Sequence, residues 1–429
     1  MHKKKKSPLL IFISIILAII VGSMMDKSTT LLGVNVYGIF DLLGQLFINA
    51  LMLVVVPLVS SSIITGIAKI GNDGSFGRLS TKIFSFYVGT SLLAVMIGLL
   101  MVNIINPGST YTKNNPPMIS EQAAIQVKED IDQTKGDKVR SLILQIVPSN
   151  IVDAFHGQML GLIFFSVLFG VALSKIEASP HAILVGFWQG IFQTMLHITH
   201  FIMKLLPLGV FCLVAKTFAV TGLESLQSLA YFTLAVITGL LVFALIGLPL
   251  LMRVMGIQSP YRHFRAMAPA LITAFSTSSS SATLPITIDC VEKRAGVSNR
   301  ICSLVIPLGT SINMSGSALY ECVAAMFIAQ VYGVELTFVT QFTMVFLALL
   351  TSIGVAGIPS ASMIAILIIL KVMGLPAEGI GLLFAVDRIL DMCRTTVNVF
   401  SDSCCAVLVA VTEGETNILT RQTYAKYEY

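Results

Sequence analysis

The chemistry of this chain is concentrated toward its C-terminal end. The run Val386-Asp-Arg-Ile-Leu-Asp-Met-Cys-Arg-Thr-Thr-Val-Asn-Val-Phe-Ser-Asp402 sets aspartates, arginines, threonines and an asparagine inside an otherwise apolar stretch. Wound as a helix at about 100° per residue from Asp387, it puts Asp391 near ~40°, Arg394 near ~−20°, Thr395 near ~80°, Asn398 near ~20° and Asp402 near ~60°. All six share an arc of about 100°. Arg388 stands at its edge, and Ile389, Cys393 and Phe400 occupy the opposite face. A stripe this polar is too costly to turn toward lipid, so it lines a site or pairs internally as an ion network between helices. Read as a site, it is chemically varied. Arg394 offers a planar fork that suits a carboxylate. Asp391, about one turn away, suits an ammonium group, so the two together would receive an amino acid. Asn398 and Asp402 supply hard oxygens for a small cation.

A second segment, Gly309-Thr-Ser-Ile-Asn-Met-Ser-Gly-Ser317, is followed by Tyr320 and Glu321. Gly316, flanked by Asn313, Ser315 and Ser317, predicts local unwinding that frees carbonyls for an ion. The same small residues would also serve as a helix-packing patch. Glu321 is a carboxylate among apolar neighbours, where desolvation favours its neutral form and makes it a candidate proton carrier.

These residues need elements that hold them at depth, and the composition says which kind. Of the 429 residues, 55% are hydrophobic and only 11% charged, against roughly 25% charged in an average soluble domain. Mean hydropathy is +0.87. This excludes an ordinary soluble enzyme, a disordered chain and a nucleic-acid binder, and leaves a polytopic membrane protein. Membrane barrels alternate with period two. Here the apolar runs are long and continuous, as in Leu9 to Gly22, Leu92 to Ile105 and Tyr231 to Met252, so the fold is all-α. The net charge of +5 lies in short loops and at helix ends: Lys3 to Lys6, then Lys69, Arg78 and Lys82, then Arg253, Arg262, Arg265, Lys293, Arg294 and Arg300. The positive-inside rule places the N-terminus in the cytoplasm and the mixed-charge stretch from Tyr111 to Arg140 outside. The basic-then-apolar start would also suit a signal peptide, but its apolar run is long and no small-x-small cleavage site follows.

Six spans are expected in the first half, at 8–25, 40–70, 80–105, 148–176, 181–220 and 226–256, the fifth kinked or tilted around Pro207 and Gly209. The loop from Pro107 to Arg140, with its Asn-Asn-Pro-Pro, is the expected mobile surface segment. After about Ser259 the pattern changes. Thr277-Ser-Ser-Ser-Ser-Ala-Thr-Leu-Pro285 and Gly354-Val-Ala-Gly-Ile-Pro-Ser-Ala-Ser362 each interrupt two stretches too short to span, as in a re-entrant hairpin. A longer helix follows each, at 299–331 and 377–414. Corresponding interruptions of this kind point to a transport site at the membrane midplane. The cysteines show no CxxC and no metal-ligand spacing; Cys212, Cys290, Cys302, Cys322, Cys393, Cys404 and Cys405 read as small apolar residues. His197 and His200 share a face but have no carboxylate or cysteine nearby. With Trp188 the only tryptophan, Tyr and Phe must supply most of any aromatic belt.

At these motifs the chain resembles the dicarboxylate/amino acid:cation symporters, the family of the glutamate transporters. The serine-rich tip, Asn-Met-x-Gly, the Ala-Gly-Ile-Pro tip and Asp-x-x-x-Asp-x-x-Arg-Thr-x-x-Asn-Val carry the resemblance, which covers essentially the whole chain. It implies a homotrimer in the cell (inner) membrane. Each subunit would have eight membrane helices and two re-entrant hairpins with inverted repeats, and would work as an elevator. Residues 1–78 would be scaffold (helices one and two), 79–106 the third helix of the transport domain, 107–145 an external loop, and 146–222 scaffold (helices four and five). Residues 223–416 would be transport domain (helix six, hairpin one, helix seven, hairpin two, helix eight), and 417–429 a cytoplasmic tail. The second hairpin would act as a gate.

By the same resemblance, Arg394 would bind the substrate's side-chain carboxylate and Asp391 its amino group. Thr395, Asn398, Ser278, Ser279, Ser280 and Ser317 would orient it, and Ile358 would add backbone contacts. Sodium would bind at Asp402, Asn398, Asn313 and the Gly309 carbonyl. A second ion would use the backbone near Ser311, Met314, Ser352 and Ile353, and a third Tyr87, Thr90, Ser91 and Asn313. Three departures stand out. Where the family has Asn-Met-Asp-Gly-Thr, Ser315 replaces the aspartate and Ser317 the threonine, which removes the formal charge of the third sodium site. The family's extra arginine, at the position of Ser278 or of Met392, is missing unless Arg388 compensates. Glu321 resembles the animal branch, where this glutamate serves proton coupling. Fewer sodium ions and more reliance on protons are expected.

The implied function is uptake of glutamate or aspartate coupled to sodium and/or protons, with no organic cofactor. A carrier of dicarboxylates or cystine is the alternative within the family, and an anion channel the alternative outside it. Arg394 argues against a neutral-amino-acid carrier and Asp391 against a pure dicarboxylate carrier. The Ser278–Ser281 run invites an intramembrane hydrolase, but no HExxH, GxSxG or GxGD pattern accompanies it and His263 lies in the preceding basic loop.

Overall fold

In hydrocarbon a backbone must satisfy its own hydrogen bonds, and a helix does so within one segment. Apolar runs of this length therefore fold as helices. The computed structural model describes residues 8–26, 28–31, 34–70, 77–108, 147, 150, 152, 159–222, 225–334, 337–354, 361–416 and 418–419. Most of the expected external loop, the tip of the second hairpin with Ile358, and residues 420–429 lie outside them.

The first helices are α1 (Pro8–Ser23), α2 (Val36–Ile70) and α3 (Gly77–Ile105). Further on come α4 (Met159–Leu173), α5 (Ala178–Ile202), α6 (Leu206–Thr221) and α7 (Ser225–Val242). A two-residue antiparallel pair, Thr30–Leu31 with Val34–Asn35, precedes α2 and is a small feature that hydropathy patterning misses. The expected bend in the fifth span is a 3₁₀ turn, Met203–Leu205, joining α5 to α6 with Pro207 in the first turn of α6, where its missing N–H costs nothing. A π-helical turn, Phe243–Gly247, carries α7 into α8 (Leu248–Val254). Helices α1, α2, α4, α5 and α6 pack chiefly on one another. Helix α3 instead packs on α7 and on a later helix.

The later half is built as two hairpins, each followed by a helix. Helix α9 (Arg262–Thr277) ends at Ser278, which turns left-handed with φ +50°, and Ser279 caps α10 (Ser280–Asp289) by accepting the Ala282 N–H. Helices α13 (Phe338–Gly354) and α14 (Ala361–Val372) are the arms of the second hairpin. The expected 299–331 helix is two: α11 (Asn299–Ile312) and α12 (Ser315–Val331). The break falls at Asn313 and Met314, two residues before Gly316, which lies within α12. Helix α15 (Ile380–Thr412) carries the polar stripe. Among the described residues, six helical segments are long and apolar enough to cross a membrane: 36–68, 81–105, 178–220, 226–254, 299–331 and 377–412. Parts of α1, α4, α13 and α14 form shorter apolar helices.

Candidate functional site

The site is centred on α15. Asp387, Asp391, Arg394, Thr395, Asn398 and Asp402 are each at most 6% exposed, whereas Ile389 is 49% exposed. The stripe thus faces protein, as the wheel requires. Phe400 departs from the expected opposite face: it is buried, with its ring 4.0 Å from that of Phe264 on α9, because the first hairpin covers that side of α15 as well.

Arg394 lies between two acids. Its Nη2 is 2.9 Å from Asp391 Oδ1 and 3.0 Å from Asp387 Oδ1, and its guanidinium rests 3.8 Å above the ring of Tyr320. The Tyr320 hydroxyl donates to Asp387 Oδ1 at 3.3 Å. Arg388 Nη1 approaches Asp391 Oδ2 at 3.7 Å, which supplies the second positive charge asked of it. Arg394 Nε and Nη1 are buried and have no hydrogen-bond partner among the described residues. A buried guanidinium with donors to spare is costly in isolation and is suited to an incoming carboxylate. Ser278 Oγ, at the tip of the first hairpin, is likewise buried without a partner. Ser279 is engaged in its cap, Ser280 is buried, and Thr395 is buried on α15. The first hairpin packs against α15.

Asn398 joins α15 to the break. Its Oδ1 accepts the N–H groups of Gly316 at 2.8 Å and Ser317 at 3.2 Å, and its Nδ2 donates to Ser317 Oγ at 3.1 Å. It therefore caps α12 from another helix, satisfying donors that the start of a helix leaves open. Asn313 Nδ2 donates to Asp402 Oδ1 at 2.9 Å. A Cβ on Gly309 would stand 2.6 Å from Asp402 Oδ1, so only glycine permits this approach of backbone to carboxylate.

Asn313 Oδ1 accepts from Ser315 Oγ at 2.9 Å and Thr90 Oγ1 at 3.2 Å, with Ser91 Oγ at 3.5 Å. Ser401 Oγ lies 3.1 Å from Ser315 Oγ, and Cys405 Sγ lies 3.7 Å from both Thr90 Oγ1 and Asn313 Nδ2. Tyr87 donates instead to the Val305 carbonyl at 2.5 Å. Around the second hairpin, Ser352 donates to the Leu349 carbonyl, and Met314 Sδ lies 3.4 Å from Asn398 Nδ2. Ser311 is half-buried near the end of α11, and Ile353 lies within α13. Glu321 is fully buried; its Oε2 accepts from Thr351 on α13 at 2.9 Å, and its Oε1 has no partner among the described residues.

Tyr320, Ser401, Cys405 and Thr351 join these clusters without having been assigned a role from sequence. Continuing the wheel of α15 would have found two of them: Cys405 falls near ~0° and Ser401 near ~−40°.

A model of the sodium:dicarboxylate symporter family matches residues 8–412. The proton/glutamate-aspartate symporter of Escherichia coli is 35% identical over 401 residues, covering 93% of this chain and 91% of that protein. The proton/sodium-glutamate symport protein of Bacillus caldotenax is 34% identical over 408 residues, covering 95% and 94%. Excitatory amino acid transporter 3 of Mus musculus is 32% identical over 440 residues, covering 91% and 82%. This chain is a multi-pass helical membrane protein belonging to the sodium:dicarboxylate symporter family.

Proposed function

We propose that this protein takes up glutamate or aspartate across the cell membrane, coupled to sodium and/or protons. The observation that carries this reading is Arg394: a buried guanidinium with unpartnered donors, set beside Asp391 and Asp387 on one helix. The names of the relatives agree in substrate and in coupling ions. Arg394 holds the side-chain carboxylate and Asp391 the ammonium group. Ser278, Ser279, Ser280, Ser317, Thr395 and Asn398 orient the remainder, with the backbone at Ile358.

One sodium site uses Asp402, Asn398, Asn313 and the Gly309 carbonyl. A second, under hairpin two, uses the backbone near Ser311, Met314, Ser352 and Ile353. The third cluster, Tyr87, Thr90, Ser91 and Asn313, is a poor sodium site in this chain. Ser315 brings a hydroxyl where a carboxylate would be needed, the Asn313 oxygen is already shared among hydroxyls, and Tyr87 is committed to Val305. Glu321, buried beside the hairpin-two helix through Thr351, carries a proton instead.

The subunit has eight membrane helices and two re-entrant hairpins, assembles as a homotrimer and lies in the inner membrane with its N-terminus in the cytoplasm. Residues 1–78 and 146–222 form the scaffold, and 79–106 with 223–416 the transport domain that slides past it. Support for this division is the packing of α1, α2, α4, α5 and α6 on one another and of α3 on α7 and α12.

The test is uptake of labelled aspartate, glutamate, succinate and cystine into proteoliposomes under separately imposed sodium and proton gradients. Saturable, concentrative accumulation of the two acidic amino acids is expected. Flux that follows the membrane potential without saturating would make the protein a channel. Preference for succinate or cystine would move it to another substrate class.

A further inference from the structure

Glu321 and Thr351 form a buried pair whose hydrogen bonding has two solutions. Glu321 on α12 is 0% exposed and Thr351 on α13 1%. A threonine hydroxyl carries one proton and two lone pairs. Three acceptors compete for that proton: Glu321 Oε2 at 2.9 Å, the Leu347 carbonyl at 2.9 Å and the Ala348 carbonyl at 3.3 Å. Both carbonyls belong to α13 itself, so the hydroxyl can turn back along its own helix or across to the neighbouring one.

The charge on Glu321 decides between them. A carboxylate only accepts, and a hydrogen bond to an ionised acceptor is roughly twice as strong as one between neutral groups. With Glu321 ionised, Thr351 therefore donates to Oε2. With Glu321 protonated on Oε2, the carboxyl O–H donates to Thr351 Oγ1, and the threonine hydroxyl turns to the Leu347 carbonyl. The contact survives in both states with its direction reversed, and no proton passes to the threonine. Oε1 offers no such route, since a proton placed there would have no acceptor among the described residues.

Other groups around Glu321 do not provide this reversal. Helix α15 brings Arg394, whose positive charge acts on Glu321, with Asp387 behind it on the Tyr320 hydroxyl. The Cys322 thiol lies beside it on α12, and Ser362 on α14 adds a smaller interaction with the carboxylate than Thr351 does. Of the other helices packed on α12, α7 and α13 carry no charged residue. Arg78 and Lys82 fall at the start of α3, and Lys371 at the end of α14.

We propose that Thr351 is the positioning residue for the coupling proton: its hydroxyl reverses as Glu321 gains or loses that proton, so hairpin two stays tied to the site in both states. This role rests on the reading of Glu321 as the proton carrier.

The test is the pH profile of aspartate uptake by the full-length protein in proteoliposomes, for the wild type, Thr351→Val, Thr351→Ser and Glu321→Gln. Valine keeps the shape of threonine but removes the hydroxyl, which leaves the carboxylate without its donor and disfavours the ionised form. The half-maximal pH of Thr351→Val should move to the alkaline side by about one unit, a tenfold change in proton concentration. Thr351→Ser, which keeps the hydroxyl, should hold the wild-type profile, and Glu321→Gln should lose the titration. A wild-type profile in Thr351→Val, with Glu321→Gln flat, would overturn the role of Thr351 and leave that of Glu321 standing. Wild-type pH dependence in Glu321→Gln would overturn both. A uniform fall in uptake at every pH in Thr351→Val, without a shift, would mark a structural contact only and overturn the proposal. So would a shift in Thr351→Ser as large as that in Thr351→Val.

Discussion

At the scale of single residues, the core of the account is a buried arginine held by two aspartates. Removing one member of a buried ion pair leaves an unpaired charge and costs about 3–5 kcal/mol. Arg394→Ala should therefore destabilise the protein by about that amount, and Asp387→Asn in the same chain should restore part of the loss. Thermal unfolding of the single and double variants checks this; an additive result would contradict the coupling. Glu321→Gln should leave the fold intact, since Thr351 can still donate to the amide oxygen, and should flatten the pH dependence of aspartate uptake. Unchanged pH dependence would remove Glu321 from proton coupling. Much of this was legible in the sequence, because charge inside an apolar helix is rare and the 3.6-residue period puts Asp387 through Asp402 on one arc. Cys405 and Ser401 were not, although Cys405 falls on that arc and Ser401 just beside it. Cysteine and serine are ordinary buried residues in helices, and only contact with Asn313 and Ser315 distinguishes these two.

At the scale of elements, hydropathy located the interrupted hairpins because a stretch too short to span is visible by length alone. The small-residue pattern around Gly316 was less exact about the unwound point. The glycine at 316 suggested a break around itself, yet the chain unwinds at Asn313 and Met314 and Gly316 is helical. The reason is tertiary: Asn398 Oδ1 accepts the N–H groups of Gly316 and Ser317, so α12 starts where a side chain from α15 can cap it. No local pattern encodes a cap supplied from 82 residues away. Asn398→Ala would leave two buried donors unsatisfied, at about 1–3 kcal/mol each. The expected outcome is faster amide exchange at the start of α12 together with weaker sodium and substrate binding. Asn398→Asp should keep the cap and the exchange protection. If alanine left exchange at Gly316 and Ser317 unchanged, the capping role would be wrong.

At the scale of the whole molecule, the proposed mechanism requires the α3, α7–α15 body to slide past the α1, α2, α4–α6 body. Among the contacts between them is that of α6 with α15. There a Cβ on Gly381 would stand 2.7 Å from Thr217 Oγ1. Cross-linking Thr217→Cys to Gly381→Cys with a short thiol-reactive bridge should stop transport while leaving aspartate binding within a few-fold of the reduced protein. A cross-linked protein that still transports would contradict relative motion at this contact. Overall architecture was the most legible level, since composition demands a membrane protein and the long continuous apolar runs demand helices. The proposed division into two bodies was not legible from composition or periodicity, because the helices assigned to the two bodies are alike in being long and apolar; it came only with the family resemblance.

The central claim is that Arg394 reads the acidic side chain. The most direct measurement compares aspartate and serine uptake by the wild type and by Arg394→Cys in the same proteoliposomes. The account predicts at least a hundredfold fall in aspartate uptake in the variant, with serine uptake retained or gained. Undiminished aspartate uptake by Arg394→Cys would contradict it.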